Sequence, residues 1–167
     1  GQMTVVNDHI AHHKHVQKLY EELLKDVKGV AVHSQPATGE YDSNYWLCTI
    51  CLDSDLEIKG QENAYKTIVT GAVGGAAGVI HVADSTTTDC QPNENVEALR
   101  VFMDQAGIEA RPVWKPMHKQ PVYKDAPAYV NGVSEAVFKV GMCLPAGPCV
   151  SDEDVKYIVD TIKNAIA

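Results

Sequence analysis

Arg111-Pro-Val-Trp-Lys-Pro-Met-His-Lys-Gln-Pro-Val-Tyr123 is the stretch on which the reading of this chain turns. Pro112, Pro116 and Pro121, followed by Pro127, lock φ and remove backbone donors. The path to about Tyr129 is therefore extended and irregular. Rigid, non-repetitive backbone that presents Arg111, Trp114, His118 and Tyr123 together suits an anionic, ring-bearing ligand. The competing account is a surface connector with Trp114 and Met117 tucked into the core.

Working outward, Asn93 is placed to cap a helix lined by Val96, Leu99 and Met103, and Gly107 ends it. Ile108 to Trp114 follows as a strand. Beyond the prolines, a helix around Val133 to Val140 leads into a short strand, Met142 to Leu144. Ser151 with Asp154 then forms a capping-box signature. It opens a helix with the stripe Val155, Ile158, Val159, Ile162 and Ile166. Upstream, Val5 to Asp26 reads as an amphipathic helix with Val16, Leu19, Tyr20, Leu23 and Leu24 on one face, and Gly29 supplies a left-handed stop. Val30 to Val32 and Tyr45 to Leu52 read as two strands around the turn-rich Ser34 to Ser43. The second is so continuously apolar that burial on both faces is expected. From Asp53 to Gln91 the pattern weakens, with a short helix at Glu62 to Thr70, a Gly-Ala turn at Gly71 to Gly78 and a short strand at Val79 to Val82. Helices and strands mix without the regular alternation of a doubly wound fold, which predicts a two-layer α+β unit with a mainly antiparallel sheet.

The 167 residues suit one domain, 1–167. A net charge of -8 argues against a nucleic-acid partner, which needs clustered Lys and Arg. No run approaches the roughly 18 apolar residues of a membrane span, and no signal peptide is visible. Five cysteines, an odd count, fit free thiols in a reducing compartment, so a cytoplasmic location is expected. Gly1-Gln2-Met3 reads as the remnant of a cleaved tag.

Other groupings invite chemistry less strongly. His9, His12, His13 and His15 crowd the first helix, but no Cys or carboxylate is in register for a metal site, so none is expected. Cys48-Thr-Ile-Cys51 matches C-x-x-C, yet a mid-strand separation of three points the sulfurs to opposite faces, as structural thiols. Gly71 to Gly78 lacks the Gly-Lys-Ser/Thr of a phosphate loop.

Arg111 to Tyr123 resembles the R-x-x-W-x-P-x-H-x-Q-P-x-Y signature of the DegT/DnrJ/EryC1/StrS aminotransferases, which act on nucleotide-linked keto-sugars. Tyr20-Glu-Glu-Leu-Leu, Ser43-Asn-Tyr-Trp-Leu, Asn95 to Arg100 with Gly107 to Arg111, and Val140 to Pro145 with Ser151 to Ile162 resemble further family stretches in the same order. Asp55 to Asn93 reads as an insertion. The resemblance implies the C-terminal small domain of a fold type I enzyme that uses pyridoxal phosphate (PLP). It implies that the cofactor lysine lies in an absent N-terminal domain, since no Ser-x-x-Lys is present. Residue by residue, it places His118 at the mouth of the substrate cavity with Arg111 and Trp114 leading to it. Holding a nucleotide-sugar is their implied role, with no catalytic or cofactor-binding residue in this chain and no PLP bound to it alone. The implied partners are the missing PLP domain, a sugar substrate, an amino donor and a second copy of the full-length enzyme. Alone, the chain would be inactive. It would also leave apolar surface of its first helix exposed. The alternative is a stand-alone module that binds an anion or a sugar-nucleotide on this fold.

Overall fold

Residues 1–65 and 90–167 are described by the computed structural model of the protein. Four helices and four strands organise them: α1 (Val6–Leu24), β1 (Val30–Val32), β2 (Cys48–Leu52), α2 (Glu94–Gln105), β3 (Arg111–Pro112), α3 (Val133–Val140), β4 (Gly141–Leu144) and α4 (Asp152–Ala165). The sheet order is β1-β2-β4-β3, with every neighbouring pair antiparallel.

Alternation along β2 sets the two layers. Cys48, Ile50 and Leu52 are buried, and Thr49 and Cys51 are only half-buried. Because side chains alternate along a strand, the register puts Val32, Ile50 and Met142 in one cross-strand row. That face packs on Val16, Tyr20 and Leu24 of α1, Leu99 and Met103 of α2, and Val155, Ile158 and Ile162 of α4 in one core. Tyr20 sends its hydroxyl to the Pro145 carbonyl at 2.9 Å, which joins α1 to the turn after β4. The expected two-layer α+β architecture is thus formed. The expectation that β2 is buried on both faces fails, because its second face is only partly covered.

Local signals act largely as read. Ser151 and Asp154 make a reciprocal capping box at the start of α4. Gly107 (φ 76°) ends α2. Gly29 (φ 81°) turns the chain into β1, and a Cβ there would meet Leu56 Cδ1 at 2.9 Å. Asn93 occupies the N-cap of α2 but makes no side-chain cap; its N–H goes to the Lys139 carbonyl instead, tying α2 to α3.

Two strands are shorter than the sequence pattern suggests. Tyr45 takes a left-handed φ of 46°, so extension starts only at Cys48. Downstream, only Arg111–Pro112 joins the ladder, at a sheet edge where the missing N–H of Pro112 does no harm. Of the helix expected at Glu62 to Thr70, the described part is a 3₁₀ turn, Gln61–Asn63. The remainder of that helix, Gly71 to Gly78 and Val79 to Val82 lie outside the described residues. The apolar stripe of α1 is consumed inside the core rather than exposed. Large exposed hydrophobics concentrate elsewhere: Trp46, Trp114, Met117, Val122, Tyr129 and Val133 among them.

Candidate functional site

β3 delivers Arg111 to the outer face of the sheet, the face away from the helical core. Its cross-strand partner is Cys143, which in turn opposes Thr49, so these three form one outward row. The Arg111 guanidinium donates to Glu109 from Nε at 2.9 Å and from Nη2 at 2.5 Å. Both side chains are well exposed, at 59% and 64%, so the pair is solvated and readily exchanged.

Trp114 follows as the strand leaves the sheet. It is 66% exposed and Met117 is 57% exposed, which removes the account that tucked both into the core. The ring of Trp114 meets that of Trp46 instead, with centroids 6.0 Å apart and planes inclined by 32°. Trp46, Glu109, Arg111, Trp114 and Cys143 share the lining of a broad groove of about 1200 Å³.

His118 sits on a 3₁₀ turn, Met117–Lys119, closed by the Gln120 N–H on the Met117 carbonyl at 3.0 Å. Gln120 Nε2 braces the turn by donating to the Lys115 carbonyl at 3.1 Å. His118 is not among the described residues lining the groove. Its Nε2 lies 2.6 Å from Glu135 Oε1 at the start of α3, with Lys119 Nζ 3.8 Å from the same oxygen. A carboxylate can only accept, so the ring donates through Nε2 and keeps Nδ1 for other partners. The His118 hydrogen bond, then Lys119 and Lys139, hold the Glu135 carboxyl below the usual carboxylate range.

Of the three residues singled out from sequence, the structure thus joins Arg111 and Trp114 in one groove and anchors His118 separately, on α3. Trp46 and Glu135 were missed. Trp46 was read as strand interior, although the preceding Ser43-Asn44 pair favours turns and could have flagged it.

The remaining groupings are structural. Burial pushes the Cys48 thiol up to about 12, and Cys51 and Cys143 rise for the same reason. His12 Nε2 lies 3.1 Å from the Gly147 carbonyl and His15 Nε2 lies 2.7 Å from Asp152 Oδ1, so these rings tie α1 to the loop and helix after β4. Among the described residues, no three His, Cys, Asp or Glu side chains are grouped to hold a metal.

Residues 61–163 match the family model of the DegT/DnrJ/EryC1/StrS aminotransferases. The chain belongs to this family. EpsN of Bacillus subtilis (strain 168), named as a pyridoxal phosphate-dependent aminotransferase, is 25% identical over 97% of the chain and 32% of its own length. The GDP-perosamine synthase of Escherichia coli O157:H7 is 28% identical over 97% of the chain and 46% of its own length. The crystal structure of a DegT/DnrJ/EryC1/StrS aminotransferase from Brucella abortus superposes with a TM-score of 0.62 at 21% identity, over 97% of this chain and 32% of that one. The chain therefore spans about a third to a half of the length of these relatives. PLP is the cofactor of the DegT/DnrJ/EryC1/StrS family, and it needs a lysine amine withdrawn from water to bind it. The described residues do not fit that group: every described lysine is exposed or only partly covered.

Proposed function

We propose that this chain is the C-terminal, substrate-side portion of a PLP-dependent aminotransferase of nucleotide-linked keto-sugars, and that it is inactive alone. Arg111 and Trp114 line the sugar-nucleotide cavity, and His118 stands at its mouth. The observation that carries this reading is the single groove lined by both Arg111 and Trp114, set inside the family-matched segment. Arg111 offers a planar, bidentate donor to phosphate oxygens. His118, its ring set by Glu135, offers Nδ1 to a sugar hydroxyl or an anion. Their role is to hold the substrate, while the cofactor is held by other sequence. That sequence is an N-terminal PLP domain supplying the lysine, the amino donor is bound there, and the full-length enzyme works as a cytoplasmic homodimer. The name of the perosamine synthase relative carries GDP, which suits a nucleotide-linked substrate. Among the described residues, no helix is long and apolar enough to cross a membrane.

The test combines this chain with the cofactor domain of the family. With PLP, the chain alone shows no cofactor absorbance and no transamination, and the combined protein shows both. In the combined protein, Arg111→Ala and His118→Ala each raise KM for the sugar nucleotide about tenfold, the loss of one charge-assisted hydrogen bond, and leave the cofactor absorbance unchanged. Turnover by the chain alone, or an unchanged KM in both variants, would sink the proposal.

A further inference from the structure

We propose that Trp46 and Trp114 together form a stacking platform for the planar base of a nucleotide, with Arg111 at its edge for the phosphates. This rests on the substrate-wall reading above and names the part of the ligand that the wall takes first.

The chain has two tryptophans, and both are here. They come from distant sequence, one from the turn before β2 and one from the segment after β3, and they meet at 6.0 Å. Both are about two-thirds exposed, at 65% and 66%. Large aromatics that serve a fold are placed where their area leaves water; a pair that meets and still faces solvent contributes little to the core.

The backbone that presents Trp46 points the same way. Tyr45 is held in the left-handed region, at φ 46°, which an aromatic residue strongly disfavours. Two side-chain acceptors brace it: Ser43 Oγ takes the Tyr45 N–H at 3.0 Å and Asn44 Oδ1 takes the Trp46 N–H at 3.2 Å. The result is a fixed turn that stops β2 early and carries Trp46 to Trp114. Backbone strain that is stabilised locally and has no return in core packing gathers at ligand sites.

The surroundings select the occupant. Glu109 and Arg111 line the same groove as the ring pair, so exposed aromatic surface and a solvated charged pair share one cleft. A heterocycle bearing a diphosphate matches both parts: its ring lies on the indoles, and its oxygens replace the solvated Glu109 carboxylate on Arg111.

Because the only tryptophans are at the site, indole Nε1–H resonances and tryptophan fluorescence report on it alone. Titrating the chain with GDP is expected to shift both indole signals and quench the fluorescence, whereas inorganic pyrophosphate leaves the indoles in place. Trp46→Ala, outside the core, is expected to keep the fold and weaken GDP binding about tenfold, the scale of one lost base–aromatic stack. Trp46→Phe, which keeps a ring, should recover most of the affinity. Equal indole shifts with pyrophosphate would overturn the platform, as would no shift at millimolar GDP or full GDP affinity in Trp46→Ala. Indole shifts that follow protein concentration without nucleotide would assign the rings to a second copy instead. The two readings fail separately. GDP binding lost in Arg111→Ala but indifferent to Trp46→Ala removes the platform and leaves the wall. Binding lost in Trp46→Ala but indifferent to Arg111→Ala and His118→Ala does the reverse.

Discussion

Arg100 and Arg111 each grip a glutamate through two guanidinium nitrogens, and the two pairs do opposite work. On α2, Arg100 donates to Glu97 at 2.8 and 2.7 Å, with the two side chains only 8% and 18% exposed. Off β3, Arg111 donates to Glu109 with both partners more than half exposed. The chemistry is the same and the solvent is not. Around Arg100 water is excluded, so the glutamate cannot leave without stranding a cation. Around Arg111, water or a phosphate can take the place of Glu109 at little cost. Both pairs line one groove. The closed Arg100 pair holds to the inner layer that carries the fold, whereas the Arg111 pair on the outer sheet face stays open to solvent.

The largest expected effect breaks the inner pair. Glu97→Ala should cost about 3 kcal/mol, because Arg100 is left buried without its counter-charge. Glu109→Ala should stay within about 0.5 kcal/mol, as an exposed substitution does. Urea unfolding followed by circular dichroism reads both. If the two variants prove equally stable, the buried pair is not scaffolding and the contrast collapses. The same Glu109→Ala variant sharpens the outer half: by freeing Arg111, it should strengthen nucleotide binding.

A smaller effect compares the two faces of β2 through its cysteines. Cys48 has no exposed surface and contacts the core, whereas Cys51 lies on the half-covered face. Cys48→Ser buries a hydroxyl in an apolar site and should cost about 2 kcal/mol; Cys51→Ser should cost less than half of that. Thiol labelling gives an independent reading. Exposed Cys149 should react at once, and Cys48, its thiol pushed up to about 12 by burial, only as the chain unfolds. Labelling of Cys48 in the folded protein would contradict the closed inner layer.

The inner layer is also the part that was legible in sequence. The stripe Val155, Ile158, Val159 and Ile162 is buried, and its capping box forms, because helix periodicity and caps are decided within a few residues. Strand ends were not legible for the opposite reason. Tyr45 breaks β2 through a backbone angle that only the finished turn makes necessary, and Pro112 ends its ladder because β3 lies at an edge. The outer face was half legible. Arg111, Trp114 and His118 stood out by residue type on a stiffened backbone. Their partners Trp46 and Glu135 did not, since each is far away in sequence and is brought in by the fold. Residue type marks the candidate ligand groups, and only tertiary structure identifies what orients them.

The smallest expected effect concerns one of those orienting groups. Glu135 has its carboxyl held below the usual carboxylate range, first by the hydrogen bond from His118 and then by Lys119 and Lys139. A carboxyl whose folded value is depressed adds stability that is fully present above its unfolded value and is lost as pH falls through the folded one. The contribution of Glu135 therefore fades only in acid, below the usual carboxylate range, and is intact at neutral pH. Partial exposure keeps it small, so stability is a poor probe and the carboxyl itself is the better one. Titrating the Glu135 side-chain ¹³C signal should give a depressed midpoint in the native chain. His118→Ala should move it up toward the ordinary value, with Lys119 and Lys139 still holding it somewhat low. A midpoint that ignores His118→Ala would show that the 2.6 Å contact does not persist in solution. The ring of His118 would then turn freely, and its Nδ1 would have no fixed direction.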